Sequence, residues 1–322
     1  MNYIKMSPLS GMVGYGGGST GLTNTSAAGP ERIGDRGIGM GGYGSSTNQN
    51  VIQYVNIAAS SGDMTDFGDL IAHRRWMNAA AGSGFGYGIG GMNGGESNVI
   101  DRITIATTSN ASDHGDLSQN SSWCGATSNG AKAFRCGGAI GGAYQNTIDV
   151  WDCTNTAANA SDHGDLSENS RYGECECDGS RATYMGGLNS QGSPQNDIEH
   201  FDTSSAGNAT DVRNLMSTTT NGFASGCDGT TVICMGGQKG SGNNDEIEYF
   251  TMQSNADAQD WGDLTTGKYY MRGASSKERL ISLGGHGTTD MMEAVVYSTQ
   301  ANATDWGNLL STNERMGGCS GN

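Results

Sequence analysis

Apolar residues along this chain come in short bursts at alternate positions, divided by polar connections rich in glycine, and nowhere do they take on helical spacing. "FGYGIGG" (85–91) sets Phe85, Tyr87 and Ile89 against Gly86, Gly88 and Gly90. A period of two places bulk on one face of a strand and leaves the other bare enough for a neighbouring backbone to come close. "RRWMNAAAG" (74–82) reads as the strand before it and "VIDRITI" (99–105) as the one after, with a fourth beginning near "HGDL" (114–117). Between the first two strands of their units lie Asn129-Gly130, Asp178-Gly179 and Asp228-Gly229, the two-residue pairs that hairpins favour. The pattern predicts an all-β chain made of four-stranded units.

The units repeat. "NASDHGDL" stands at 110–117 and again at 159–166, with degenerate copies "DMTDFGDL" (63–70), "NATDVRNL" (208–215), "DAQDWGDL" (257–264) and "NATDWGNL" (302–309). The central Asp falls at 66, 113, 162, 211, 260 and 305, in steps of 45 to 49. Diglycines keep the same beat at 41–42, 90–91, 137–138, 186–187, 236–237 and 284–285. After each comes a third marker: "VIQYVNI" (51–57), "VIDRITI", "TIDVWDC" (147–153), "DIEHFDT" (197–203), "EIEYFTM" (246–252) and "EAVVYST" (293–299). Four-stranded units of this length, six times over, predict a six-bladed β-propeller.

The ends fit a closed ring. "LSTNERMGGCSGN" (310–322) resembles "AHRRWMNAAAGSG" (72–84), so residues 311–322 are expected to supply the first strand that the opening unit lacks, leaving no open edge. The expected units are 311–322 with 31–70, then 71–117, 118–166, 167–215, 216–264 and 265–310. Residues 1–30 are Gly/Ser/Thr-rich and off-pattern, and read as a flexible arm whose docking anchors are Met6, Leu9, Met12, Val13 and Tyr15.

Within "N-A-S/T-D-x-G-D-L", Asn and Asp can accept backbone N–H bonds and Gly permits positive φ, which predicts a tight connection between third and fourth strands. His114 and His163 occupy a slot held elsewhere by Phe67, Val212, Trp261 and Trp306. A residue interchangeable with Trp and Val packs; it does not ligate a metal. Oxygen donors are dense in these strings, as a calcium site requires, yet carboxylates that recur with a repeat also serve as turn caps.

Composition narrows the function. Fifty-four Gly without a G-X-Y period are compatible with a folded chain of many turns. A formal net charge of −16, with no Lys/Arg run, repels phosphate backbones and excludes nucleic acid as a partner. No segment approaches the roughly 20 apolar residues of a membrane span, and the N-terminus shows no signal-peptide core. Eight Cys (124, 136, 153, 175, 177, 227, 234, 319) hold no common repeat position, which predicts reduced, packed thiols. The five His lack H-x-x-x-H spacing, and "GYGGGSTG" (14–21) lacks the G-K-[ST] end of a phosphate loop. Arg75, Arg171, Arg272 and Arg315 recur near the start of the first strand, where a structural ion pair or a backbone contact is expected. Ser and Asp are adjacent in "S-D-H-G", so the S-x-D-x-G-x-x-W box of sialidase propellers fails. No cofactor, metal or catalytic constellation is expected.

The diglycine after a strand, with aromatics later in a repeat of about 50 residues, resembles the Kelch propellers. It departs from them in spacing, since Tyr249 and Trp261 lie twelve apart. "VIQYVNIAASSGDMTDFGDL" (51–70) and "VIDRITIATTSNASDHGDL" (99–117) are closer to the tandem "xIDYxTIAsxxNATDFGDL" of Kelch-like structural proteins in phages of marine bacteria. "SPLSGMVGYGGGSTGL" (7–22) also resembles their Gly-rich openings. The resemblance spans about residues 31–322. It implies a non-enzymatic virion component, a capsid decoration or part of a tail fibre or adhesin, assembled in the bacterial cytoplasm. Its implied partners are other virion proteins, a host-surface glycan or receptor, and further copies of the chain. A lectin or glycan-active propeller is the alternative.

Second-to-third-strand connections differ from copy to copy, and varied loops on a rigid scaffold are where binding is expected. This rim contributes Tyr43, Asn93, Tyr144, Gln145, Gln191 and Lys239 as candidate binding residues.

Overall fold

The computed structural model describes residues 33–322 apart from 220, 241 and 288. The expected arm, residues 1–30 with Met6, Leu9, Met12, Val13 and Tyr15, lies outside the described residues. Six antiparallel sheets stand around one axis as the blades of a β-propeller. In each the chain runs outward from the axis: in blade 2, Asn78–Gly82, Phe85–Ile89, Ser97–Thr104 and Ser112–Ser121 pair in that order. The inner strands of blades 3 to 6 are Gly125–Ser128, Glu174–Cys177, Ala224–Cys227 and Arg272–Ser275. The inner strand of blade 1 is the C-terminal Gly317–Gly321, paired with Arg36–Met40 from Arg36↔Gly321 to Met40↔Gly317. The ring therefore closes as expected. Blade 3 carries an addition, with Leu188–Asn189 of the next blade pairing on its outer strand.

Stability resides in the seams. Each of six apolar clusters is shared by two adjacent blades; Ile38, Ile52 and Phe67 of blade 1, for example, meet Met77, Ala79 and Ile103 of blade 2. The "GDL" leucines, Leu70, Leu117, Leu166, Leu215, Leu264 and Leu309, are all buried.

The repeated octapeptide is not the connection itself. It runs into the fourth strand, which begins at Thr65, Ser112 and Ser161 in the first three blades. Pairing with the third strand slips there by one residue: Ile100 faces Gly115 while Asp101 faces Asp113, so His114 is bulged. Phe67, His163, Val212, Trp261 and Trp306 occupy the same bulge. A bulge re-aims a side chain, and five of these six are thereby buried. The leading Asn or Asp then clasps the preceding blade. Asn110 Oδ1 accepts the Asp69 N–H at 3.0 Å, Asn159 that of Asp116 at 3.0 Å, and Asn208 that of Asp165 at 3.1 Å. Asp257, Asn302 and Asp63 do the same for Asn214, Asp263 and Asn308. Gly115 is needed because a Cβ there would stand 2.6 Å from the Ala158 carbonyl of the next blade. The first Gly of each pair at the end of the second strand is held likewise: a Cβ on Gly137 (φ +60°) would meet the Ser170 carbonyl at 2.7 Å.

A second seam device lies in the third marker. Gln53, Asp101, Asp149, Glu199, Glu248 and Glu293 hold one position on the third strand, and all are buried. Each accepts the backbone N–H that follows the "GDL" leucine of the preceding blade. The donors are Leu310 to Gln53 at 2.9 Å, Ser118 to Asp149 at 3.3 Å, Ser167 to Glu199 at 2.7 Å, Met216 to Glu248 at 2.6 Å and Thr265 to Glu293 at 2.7 Å. Ile71 serves Asp101. Three of the acids also hold a buried cation: Asp101 with Arg74, Asp149 with Arg135 at 2.5 Å, and Glu293 with Lys268 at 2.5 Å.

The hairpin turns are one residue longer than expected. Asn129, Gly130 and Ala131 join the first two strands of blade 3, and Asn129 Oδ1 takes the N–H groups of Ala131 and Lys132. An Asx cap needs that extra residue to bring its oxygen round.

Candidate functional site

Inner strands begin on the face that carries the second-to-third-strand loops. Backbone bonds join the two: Tyr43 N–H to Glu314 O at 2.7 Å, Met92 N–H to Arg75 O at 2.8 Å and His286 N–H to Tyr269 O at 2.7 Å. Just ahead of each inner strand stands a residue with positive φ: Trp76 (52°), Trp123 (57°), Tyr172 (68°), Asn221 (56°), Tyr270 (58°) and Arg315 (60°). A ring of blade-to-blade bonds holds this conformation, with Trp123 N–H donating to Trp76 O at 2.9 Å, Tyr172 to Trp123 at 2.8 Å, Arg315 to Tyr270 at 3.0 Å and Trp76 to Arg315 at 2.8 Å. Left-handed backbone costs a bulky residue on the order of 1–3 kcal/mol, and glycine takes it without strain. In a chain with 54 Gly, none stands at these six places.

The side chains form a crown about the axial mouth. Ring centroids lie 4.9 Å apart for Trp76–Trp123, 5.3 Å for Trp123–Tyr172 and 6.3 Å for Tyr172–Tyr270. Three guanidiniums lie over them. Arg75 is 4.3 Å from the Trp76 ring and 4.8 Å from Tyr43; Arg171 is 4.6 Å from Trp123 and 4.1 Å from Tyr144; Arg315 is 4.7 Å from Tyr270 and 5.2 Å from Tyr43. Among the described residues no carboxylate pairs with Arg75 or Arg171. Glu314 pairs with Arg315 at 3.0 Å and with His286 at 2.9 Å. Burial pushes the Tyr172 hydroxyl up to about 12, so it stays a neutral donor at physiological pH. At the crown's edge a cavity of about 220 Å³ opens between blades 1 and 6, lined by Tyr43, Ser45, Ser46, His286, Thr312 and Glu314 among others.

Beneath the crown the axis is plugged. Equivalent inner-strand positions carry Asn78, Glu174 and Arg272 on blades 2, 4 and 6, and Gly125, Ala224 and Gly317 on the blades between. Polar groups on alternate blades leave room for three to meet: Arg272 pairs with Glu174 at 2.6 Å, and Asn78 Nδ2 donates to Glu174 Oε2 at 3.1 Å. Burial, opposed by Arg272, pushes the Glu174 carboxyl up to about 7. The crown is thus a dish with a floor.

The candidate rim residues divide by position. Tyr43 and Tyr144 sit under crown guanidiniums. Asn93 is exposed and accepts from Asn48 at 3.0 Å, Gln145 accepts from Gln119 at 2.6 Å, Gln191 is exposed, and Lys239 pairs with Glu246 at 3.0 Å. The four recurrent arginines prove to hold different positions. Arg272 and Arg315 make the expected ion pairs, with Glu174 and Glu314, Arg315 itself has the positive φ, and Arg75 and Arg171 precede such a residue and stack on rings instead of pairing. The crown aromatics were missed as a group, although Trp76, Trp123, Tyr172 and Tyr270 recur near the repeat length. No family model matches the chain, and no curated protein matches it.

Proposed function

We propose that the chain is a non-catalytic attachment module, a virion surface propeller of the kind its repeat resembles, and that it makes its contacts through the crown face. One observation carries the reading: six backbone positions that glycine would occupy without strain hold four aromatics, an arginine and an asparagine. Strain kept at equivalent places in five of the six blades is strain that serves the side chains. The opposite face supports the reading by contrast, since its clasps satisfy one another from blade to blade. A capsid or tail neighbour, or a host-surface glycan or receptor, is the partner such a face serves.

The test is mass spectrometry of purified virions, followed by incorporation and host adsorption of particles carrying Arg75→Gln with Arg171→Gln. The chain should be found in the particles, and the variant should lower incorporation or adsorption with its melting unchanged. Absence from virions overturns the virion assignment. Normal incorporation and adsorption of the variant overturns the face assignment, and turnover of any glycan overturns the non-catalytic reading.

A further inference from the structure

We propose that the crown binds an acidic saccharide, with its carboxylate or sulfate on the guanidiniums of Arg75 and Arg315 and one sugar ring in the cavity beside Tyr43. The inference rests on the crown being the contact face.

Charge is the first argument. The chain carries a formal net charge of −16, yet three guanidiniums gather at the axial mouth, and among the described residues the carboxylate paired there, Glu314, is already shared by Arg315 and His286. Arg75 and Arg315 both lie over the Tyr43 ring, at 4.8 and 5.2 Å, and so stand no more than about 10 Å apart. Glu314 offsets the Arg315 charge at 3.0 Å, which leaves Arg75 beside it as the guanidinium without a carboxylate among the described residues. The Nε atoms of Arg75 and Arg315 are buried without acceptors; Arg75 is partly exposed, and the Arg315 side chain is 16% exposed with its Nη2 on Glu314.

Preorganisation is the second. A guanidinium stacked on an aromatic face has its plane fixed in advance, so less rotamer freedom is lost when it takes an oxyanion through two parallel N–H bonds. Arg75 and Arg315 are held in this way, each against at least two rings.

The cavity decides between ligand classes. At about 220 Å³ it is smaller than the roughly 300–1,000 Å³ of a drug-sized site and suits a single ring of a longer chain. Tyr43 offers an apolar face to sugar C–H groups. Ser45, Ser46 and Thr312 offer hydroxyls, and Glu314 offers an acceptor for sugar hydroxyls. An acidic peptide would use the arginines and leave this cavity unused.

The purified chain is titrated with a tri-galacturonate, a sulfated galactan oligosaccharide and neutral maltotriose, followed by indole fluorescence of Trp76 and Trp123 and by calorimetry. At least one acidic oligosaccharide should bind, with maltotriose at least about tenfold weaker and affinity falling as salt rises. Arg75→Gln alone should cost about tenfold or more, and Thr312→Phe, which fills the cavity, should weaken saccharide binding with the fold intact. Equal binding of maltotriose overturns the ionic part. Tighter binding of a poly-Glu peptide, insensitive to Thr312→Phe, reassigns the crown to acidic peptides and overturns the proposal. No response to either acidic oligosaccharide at millimolar concentration also overturns it, while the contact face itself is judged separately by the virion experiment.

Discussion

Glu248 should make the propeller less stable as pH rises, and Glu248→Gln should abolish that loss. The side chain is 5% exposed in the seam between blades 4 and 5, where its Oε2 accepts the Met216 N–H at 2.6 Å. Burial pushes the carboxyl up to about 7 from an ordinary 4.5, with Glu246 adding to the rise and Lys239 opposing it. Between those two values the folded chain holds a proton that the unfolded chain has released. The contribution of Glu248 to stability therefore falls as pH rises from 4.5 to about 7 and is level above. A rise of that size corresponds to on the order of 3 kcal/mol. The chain contains the control: Gln53 fills the equivalent place in the seam between blades 6 and 1, accepting the Leu310 N–H at 2.9 Å without a charge. Glutamine at 248 should keep the acceptor and remove the titration. Denaturant unfolding of both proteins near pH 4.5 and near pH 8 gives the double difference. The variant should be nearly neutral at the lower pH and stabilised at the higher, by roughly 5 °C or more in a parallel thermal melt. An effect equal at both pH values would refute the reasoning, because it would mean that the folded carboxylate bears no burial cost.

Other perturbations test the seams and the crown. Gly115→Ala should destabilise by at least about 1–3 kcal/mol, since its Cβ would meet Ala158 O at 2.6 Å, whereas Gly95→Ala, with open space around it, should be nearly neutral in the same denaturation assay. Deleting residues 311–322 strips Arg36–Met40 of its inner partner; aggregation or a large drop in melting temperature is expected, and a truncation that melts like the full chain would contradict closure as a source of stability. All eight thiols are free and buried, so a thiol reagent should label none before denaturant and eight after it. Tyr172→Gly should cost less than about 1 kcal/mol, because relief of the left-handed backbone offsets lost ring contacts; a loss of several kcal/mol would make the ring a structural part.

Six copies in one chain act as an internal alignment, and this is why the ring, its closure and the packing role of His114 are legible in the sequence. The reading was local, and it failed where the cause lies in the next blade. Asp113-His114-Gly115-Asp116 has the chemistry of a turn, and Asp113 does accept the Gly115 N–H at 3.1 Å. What places Gly115 there, however, is the Ala158 carbonyl some forty residues away. The third-strand acids take their N–H donors from the preceding blade, so no pattern within one unit marks them as seam contacts. Positive φ at Trp76 or Tyr172 leaves no trace in residue type, because bulky side chains disfavour it. The rule that finds the crown is therefore the reverse of a propensity rule.

The two faces differ because closure makes unequal demands on them. Every seam must be satisfied for the ring to close, and on the face of the third-to-fourth connections the same clasp does this six times. On the crown face closure asks only for a backbone, the ring of N–H to carbonyl bonds between residues of positive φ, which glycine would supply with less strain. Side chains there are released from the seams and can be spent on a partner. Tyr43 and Tyr144 enter from the varied loops, Arg75, Arg171 and Arg315 from the linkers, and the rings bring the two sets together. Glycine would meet the backbone demand at this mouth without strain, so the aromatics and guanidiniums that stand there are the part of the crown that closure does not require, which is why the proposed contact face is placed there.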